Sequence, residues 1–138
     1  MSKIELPPDV EFHEDIHLFI HRPRGLLNEG VVNRVISALA DLEAKQTEPF
    51  NRFADTLKAD AVALNFRYIL HTSLYRRLSY AGKPPVKTAL LATDETIIHY
   101  GKLHKLMTQG SSIAVRIFQD RQEVAEWLEV PVERLTSK

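Results

Sequence analysis

The sequence predicts an α/β domain, a mainly parallel sheet of four or five strands wrapped by about four helices, and three observations predict it. Segments with an apolar repeat of two alternate strictly with segments whose apolar repeat is helical. The connections are short, as βαβ units require. The run VKTALLA at residues 86–92 is almost continuously apolar, as in a strand buried on both faces.

The elements follow in order. Pro7 and Pro8 exclude a helix, so residues 1–11 are an extended segment, placed to add an antiparallel edge strand. From Phe12 the chain alternates. Ile16, Leu18 and Ile20 take one face and His17, Phe19 and His21 the other, which predicts one strand over 12–22, ended by Pro23-Arg24-Gly25. Asn28 caps a helix whose stripe is Val32, Val35, Ile36, Leu39 and Leu42, ending at Lys45-Gln46. Residues 50–57 (FNRFADTL) form the next strand. Residues 58–64 connect, with a short extended piece at Val62-Ala63-Leu64.

Asn65 caps a second helix with Phe66, Ile69, Leu70, Ser73, Leu74, Arg77, Leu78 and Ala81 on its stripe. Arg77 there must reach outward along its stem or find a partner. Gly82 and Pro84-Pro85 end that helix. After the strand at 86–92, Thr93-Asp94 caps a helix over 95–108, stopped by Gly110. Residues 113–118 (IAVRIF) are a strand. Asp120 and Glu123 form a capping-box-like start for the last helix, with Val124, Trp127 and Leu128 on its apolar side and Pro131 as its end. Residues 131–138 read as a polar tail that frays.

Composition bounds function. The chain has 138 residues, 18 Lys+Arg against 18 Asp+Glu, 6 His and no Cys. The length fits a single domain, 1–138, able to bury roughly two-thirds of its unfolded surface without a disulfide or metal. Zero net charge argues against nucleic acid as a partner, because gripping a phosphate backbone needs a positive excess. The lack of cysteine excludes disulfides, thiol catalysis and thiolate metal sites. The N-terminus has no apolar core of a secretory signal, and no apolar run nears the roughly 20 residues of a spanning helix. The expectation is a cytoplasmic protein without a transmembrane segment.

The C-terminal half carries a more specific pattern. After Pro84-Pro85-Val86-Lys87-Thr88-Ala89-Leu90-Leu91-Ala92 and a helix comes Val115-Arg116-Ile117-Phe118-Gln119-Asp120-Arg121-Gln122-Glu123-Val124-Ala125-Glu126-Trp127-Leu128. This resembles the "V-R-V-F-x-D-x-x-E-A-x-x-W-L" ending of the bacterial stand-alone branch of the SpoIIAA-like (STAS) superfamily, with Val124 in place of the usual small residue. Phe53-Ala54-Asp55 is similar to the family's strand ending in Asp. The resemblance spans residues 12–130. It implies one βα-superhelix domain with four parallel strands. It also implies a non-catalytic regulatory role like that of anti-sigma-factor antagonists, which dock protein partners. Some relatives are switched by a phospho-Ser in an Asp-Ser-Ser-Gly-like motif. The corresponding stretch here, Leu64-Asn65-Phe66-Arg67-Tyr68, has no Ser or Thr, which argues against that switch. CRAL-TRIO lipid carriers share the general shape, so a bound apolar ligand is the alternative.

Candidate chemistry is sparse. On a single strand, His13, Asp15, His17 and His21 share a face and could bind zinc or nickel, but successive same-face residues lie about 6.5–7 Å apart, poor metal geometry. A solvated strand face accounts for them as well. His71, His99 and His104 form no H-x-x-x-H pair and read as surface or core-edge residues. There is no nucleophile elbow, P-loop, GxGxxG or HExxH. Arg76-Arg77, Tyr75, Tyr80, Lys83 and Lys87 form one basic, aromatic region suited to an anion or acidic partner, or simply a solvated helix face. Ligands of parallel sheets sit at the strands' carboxyl ends near helix N-termini. That rule selects Asp55, Asn65, Arg67, Tyr68, Thr93 and Asp94 as the partner- or ligand-binding residues, although capping alone explains Asn65 and Asp94.

Three functions remain in play. The first is a regulatory module docking a protein partner or itself, with no cofactor. The second is a carrier with an apolar pocket. The third is an enzyme or metal protein. An exposed apolar patch over a packed interior favours the first, an apolar cavity the second, and converging His and carboxylate groups the third.

Overall fold

The structure, a computed structural model, describes residues 5–136; the first four residues of the extended N-terminal segment and the last two of the tail lie outside it. The first strand candidate is two strands. β1 (Val10–His13) and β2 (Leu18–His21) pair antiparallel, with a 3-10 turn at Glu14–Ile16 between them. His17 lies at φ 48, in the left-handed region. A residue there breaks the strand, so the alternation from Phe12 to His21 does not hold as one face. β1 nonetheless supplies the expected antiparallel edge.

The next elements are β3 (Gly25–Asn28), α1 (Glu29–Lys45), β4 (Asn51–Asp55), β5 (Ala59–Ala63) and α2 (Phe66–Ser79). Then come β6 (Val86–Leu91), α3 (Glu95–Thr108), β7 (Ile113–Phe118) and α4 (Arg121–Leu128). A second 3-10 turn spans Val132–Leu135. Each expected cap is present. Asn28 accepts from Val31 N, Asn65 from Tyr68 N, Asp94 from Thr96 and Ile97 N, and Asp120 from Gln122 N. β3 and β5 form a small parallel ribbon outside the main sheet. β3 was not expected, because four residues are too few to show a period, and Gly25 enters it at φ 69.

The main sheet has the order β1-β2-β4-β6-β7, parallel from β2 onward. Every crossover steps one strand the same way. Right-handed connections then put α1, α2 and α3 on one face. Side chains alternate accordingly. Phe53, Ala89 and Leu91 face α4 and form a buried core with Leu18, Ile20, Val124, Ala125 and Leu128. Arg52, Ala54, Thr88 and Leu90 face the three helices.

Two further expectations change. The tail is docked rather than frayed: Leu135 is fully buried in the α4-side core, and its carbonyl accepts from Arg22 Nη1 at 2.7 Å. The α2 stripe is rotated. Ile69, Ser73, Arg76 and Tyr80 are buried, while Phe66, Leu74 and Leu78 are exposed. Polar partners cause this, because Ser73 and Arg76 turn inward to groups on α3 and α1.

Candidate functional site: a cavity with a charged end

Between the sheet and α1–α3 lies a cavity of about 260 Å³. Its walls are mostly aliphatic: Val35 and Leu39 of α1, Ile69 of α2, Leu90 of β6 and Ile97 of α3. Gly101 keeps α3 close to the sheet at this point. A Cβ there would collide with the Leu90 side chain and press on Ile117.

The two arginines of the lining lie toward the amino ends of the strands, while His21 and Thr56 line the cavity at the carboxyl ends. Alternation brings Arg52, the second residue of β4, to the helix face, while Glu43 and Arg76 come from the last turns of α1 and α2. Glu43 Oε2 accepts from Arg52 Nη2 at 2.6 Å and from Arg76 Nη2 at 2.5 Å. Arg52 Nε donates to Phe50 O at 2.9 Å, and its guanidinium lies 4.8 and 5.1 Å from the ring centroids of Phe50 and Tyr80. Burial lowers the Arg52 pKa, with Glu43 opposing the shift and the Arg76 charge adding to it. Ser73 Oγ lies 2.7 Å from His104 Nδ1. Burial, and then the charge of Arg76, pushes His104 down to about 4, so its ring is neutral at pH 7. His104 itself is half-buried and lines the cavity.

The six residues selected from the sequence are placed otherwise. Asp55 is buried on a different network, where Oδ2 accepts from Arg22 Nη1 at 3.0 Å and from Arg121 Nη2 at 2.7 Å. Through Arg22 it ties the end of β4 to Leu135. Asn65 and Asp94 are helix caps. The Tyr68 hydroxyl reaches Asn33 Oδ1 at 2.6 Å, which joins α2 to α1. Arg67 and Thr93 are exposed. None of the six lines the cavity. A parallel sheet offers a crevice at its carboxyl edge where the strand order reverses, and this order never reverses.

The histidine face disperses as well. His13 contacts Glu11, His17 contacts Glu48 and His21 contacts Asp9, while Arg134 holds Asp15. Among the described residues no three metal-ligating side chains converge. The basic region also splits. Arg76 points inward, Arg77 donates to Met107 O and Gln109 O at the end of α3, and Lys87 Nζ donates to Trp127 O at 2.8 Å. Glu43 and Arg52 were missed as site residues. The available signal was an arginine between the two phenylalanines of a strand segment, FNRF.

No family model and no curated protein matches the chain. Among solved structures it is similar to an uncharacterised protein of the DUF3478 family with a SpoIIAA-like fold from Shewanella loihica PV-4. That match has 16% identity and a TM-score of 0.55, and it covers 86% of this chain and 89% of that one. Among the described residues no helix is long and apolar enough to cross a membrane. The chain therefore has the SpoIIAA-like fold that its C-terminal pattern implied.

Proposed function

We propose that this domain is a non-catalytic binding module that holds one small apolar ligand between its sheet and α1–α3. The cavity carries the reading. At about 260 Å³ it approaches the ~300 Å³ lower bound of ordinary ligand pockets. It well exceeds the ~150 Å³ of an apolar cavity that takes up benzene. At ~30 Å³ per non-hydrogen atom the space suits roughly nine such atoms.

A second reading is favoured by a separate observation. Leu74, Tyr75 and Leu78 on the outer face of α2 are exposed, Leu78 at 73%, as is Leu106 of α3 at 64%. Such a surface supports docking of a protein partner, the regulatory role of the SpoIIAA-like relatives. The two readings are compatible in a cytoplasmic regulator that reports ligand occupancy to a partner.

Thermal unfolding tests the first reading. With 1-octanol present, Tm of the wild-type protein should rise. Ala54→Ile places extra methyl groups into the cavity, so it should raise the ligand-free Tm and remove the response to 1-octanol. A wild-type Tm that 1-octanol leaves unchanged, with Ala54→Ile destabilised as an overpacked core would be, contradicts the cavity as a ligand site.

A further inference from the structure

We infer that the ligand of this cavity is an amphiphile with a carboxylate head, seated against Arg52 and Arg76, and an apolar tail of about seven carbons. The inference rests on the cavity reading above and adds the chemistry of its charged end.

The charge balance comes first. Two guanidinium groups, 5% and 6% exposed, face a single carboxylate, Glu43. Arginine stays protonated at neutral pH, so the cluster holds one positive charge in excess. His104 adds none, being neutral at pH 7. An excess charge away from water is costly until an anion joins it. A monoanion brings the sum to zero, whereas a dianionic phosphate would overshoot it.

Hydrogen-bond accounting agrees. Arg52 spends Nε on Phe50 O and Nη2 on Glu43, and Arg76 spends Nη2 on Glu43. The other guanidinium N–H groups have no acceptor among the described residues. They are not sealed in either, because among the described residues the one fully enclosed side-chain nitrogen or oxygen without a partner is Nε of Arg121. Both arginines line the cavity, the space an acceptor of the ligand would enter. Planar forks of N–H donors match a carboxylate in two-point contact. Beyond them the lining turns aliphatic, with Leu39, Ile69 and Leu90 within the same space. Room for roughly nine non-hydrogen atoms fits a chain the length of octanoate.

The test is an amide correlation spectrum of the whole protein at pH 7, titrated with octanoate and separately with 1-octanol, each below self-association. The expected result is that both shift the amides around Leu39, Ser73 and Leu90, with octanoate binding at least about tenfold tighter, as charge-assisted hydrogen bonds imply. Arg76→Met, which leaves a neutral Arg52–Glu43 pair, should remove the preference for octanoate over 1-octanol. Arg76→Lys should keep part of the preference. Equal or weaker binding of octanoate by the wild-type protein overturns the carboxylate inference and leaves the cavity reading standing. If neither compound shifts the lining amides, both fall. The wild-type comparison decides even if Arg76→Met does not fold.

Discussion

Arg76 and Arg77 are adjacent on α2 and do opposite things. Arg77 reaches the carbonyls that end α3. Arg76 is drawn inward by Glu43. Apolar periodicity selects Arg77 for the inner stripe because it scores Leu74 and Leu78 as core. Periodicity has no access to a buried ion pair whose partner is 33 residues away. Glu43 is hidden for a similar reason: a glutamate in the last turn of a helix normally faces water. His104 gives this cluster a measurable signature. Its pKa is about 4 in the fold against 6.5 unperturbed. Between those values the unfolded chain binds more protons, so stability is complete above about pH 6.5 and falls as pH drops toward 4. The shift corresponds to about 3 kcal/mol at most, less to the extent that water in the cavity screens it. His21, whose pKa burial also lowers, adds loss of the same sign. Urea unfolding at pH 7.5 and 4.5 should show a smaller acid loss for His104→Gln than for wild type. An equal loss in both would mean that His104 is not held neutral by the fold.

At the scale of elements, the sequence was most legible where one residue does one local job. Asn28, Asn65, Asp94 and Asp120 each start a helix with a side-chain oxygen, and a cap is a short-range device. β6, α3, β7 and α4 stand close to where their patterns put them. Legibility failed where tertiary contacts choose among local options. The left-handed His17 splits β1 from β2, and Arg22 together with the α4-side core holds Leu135 down. α2 offers a direct check. Its apolar stripe as read from the sequence would make Leu78 a core residue, and Leu78→Glu would then cost several kcal/mol. Its exposed position predicts a change within about 0.5 kcal/mol. Denaturant midpoints separate the two outcomes, and a large loss would put the rotated face of α2 in error. If α2 docks a partner, the same variant should fold normally and lose that partner.

The whole molecule explains why the fold was readable and the site was not. Alternation of strand and helix patterns, with short links, restricts the topology to successive parallel crossovers. The C-terminal pattern then points to the SpoIIAA-like fold found among solved structures. The cavity's charged end, by contrast, draws Glu43 from α1, Arg52 from β4, Ser73 and Arg76 from α2, and His104 from α3. No spacing along the chain encodes that convergence. The unreversed strand order also removes the switch-point crevice by which parallel sheets usually announce their ligands. A crystal structure of the protein grown with saturating octanoate looks directly at the space beneath α1–α3. It should show continuous density filling the cavity, with the carboxylate against Arg52 and Arg76 and the tail along Leu39 and Leu90. A cavity closed by repacked side chains, or holding only water, would contradict the claim that this fold is built around a ligand.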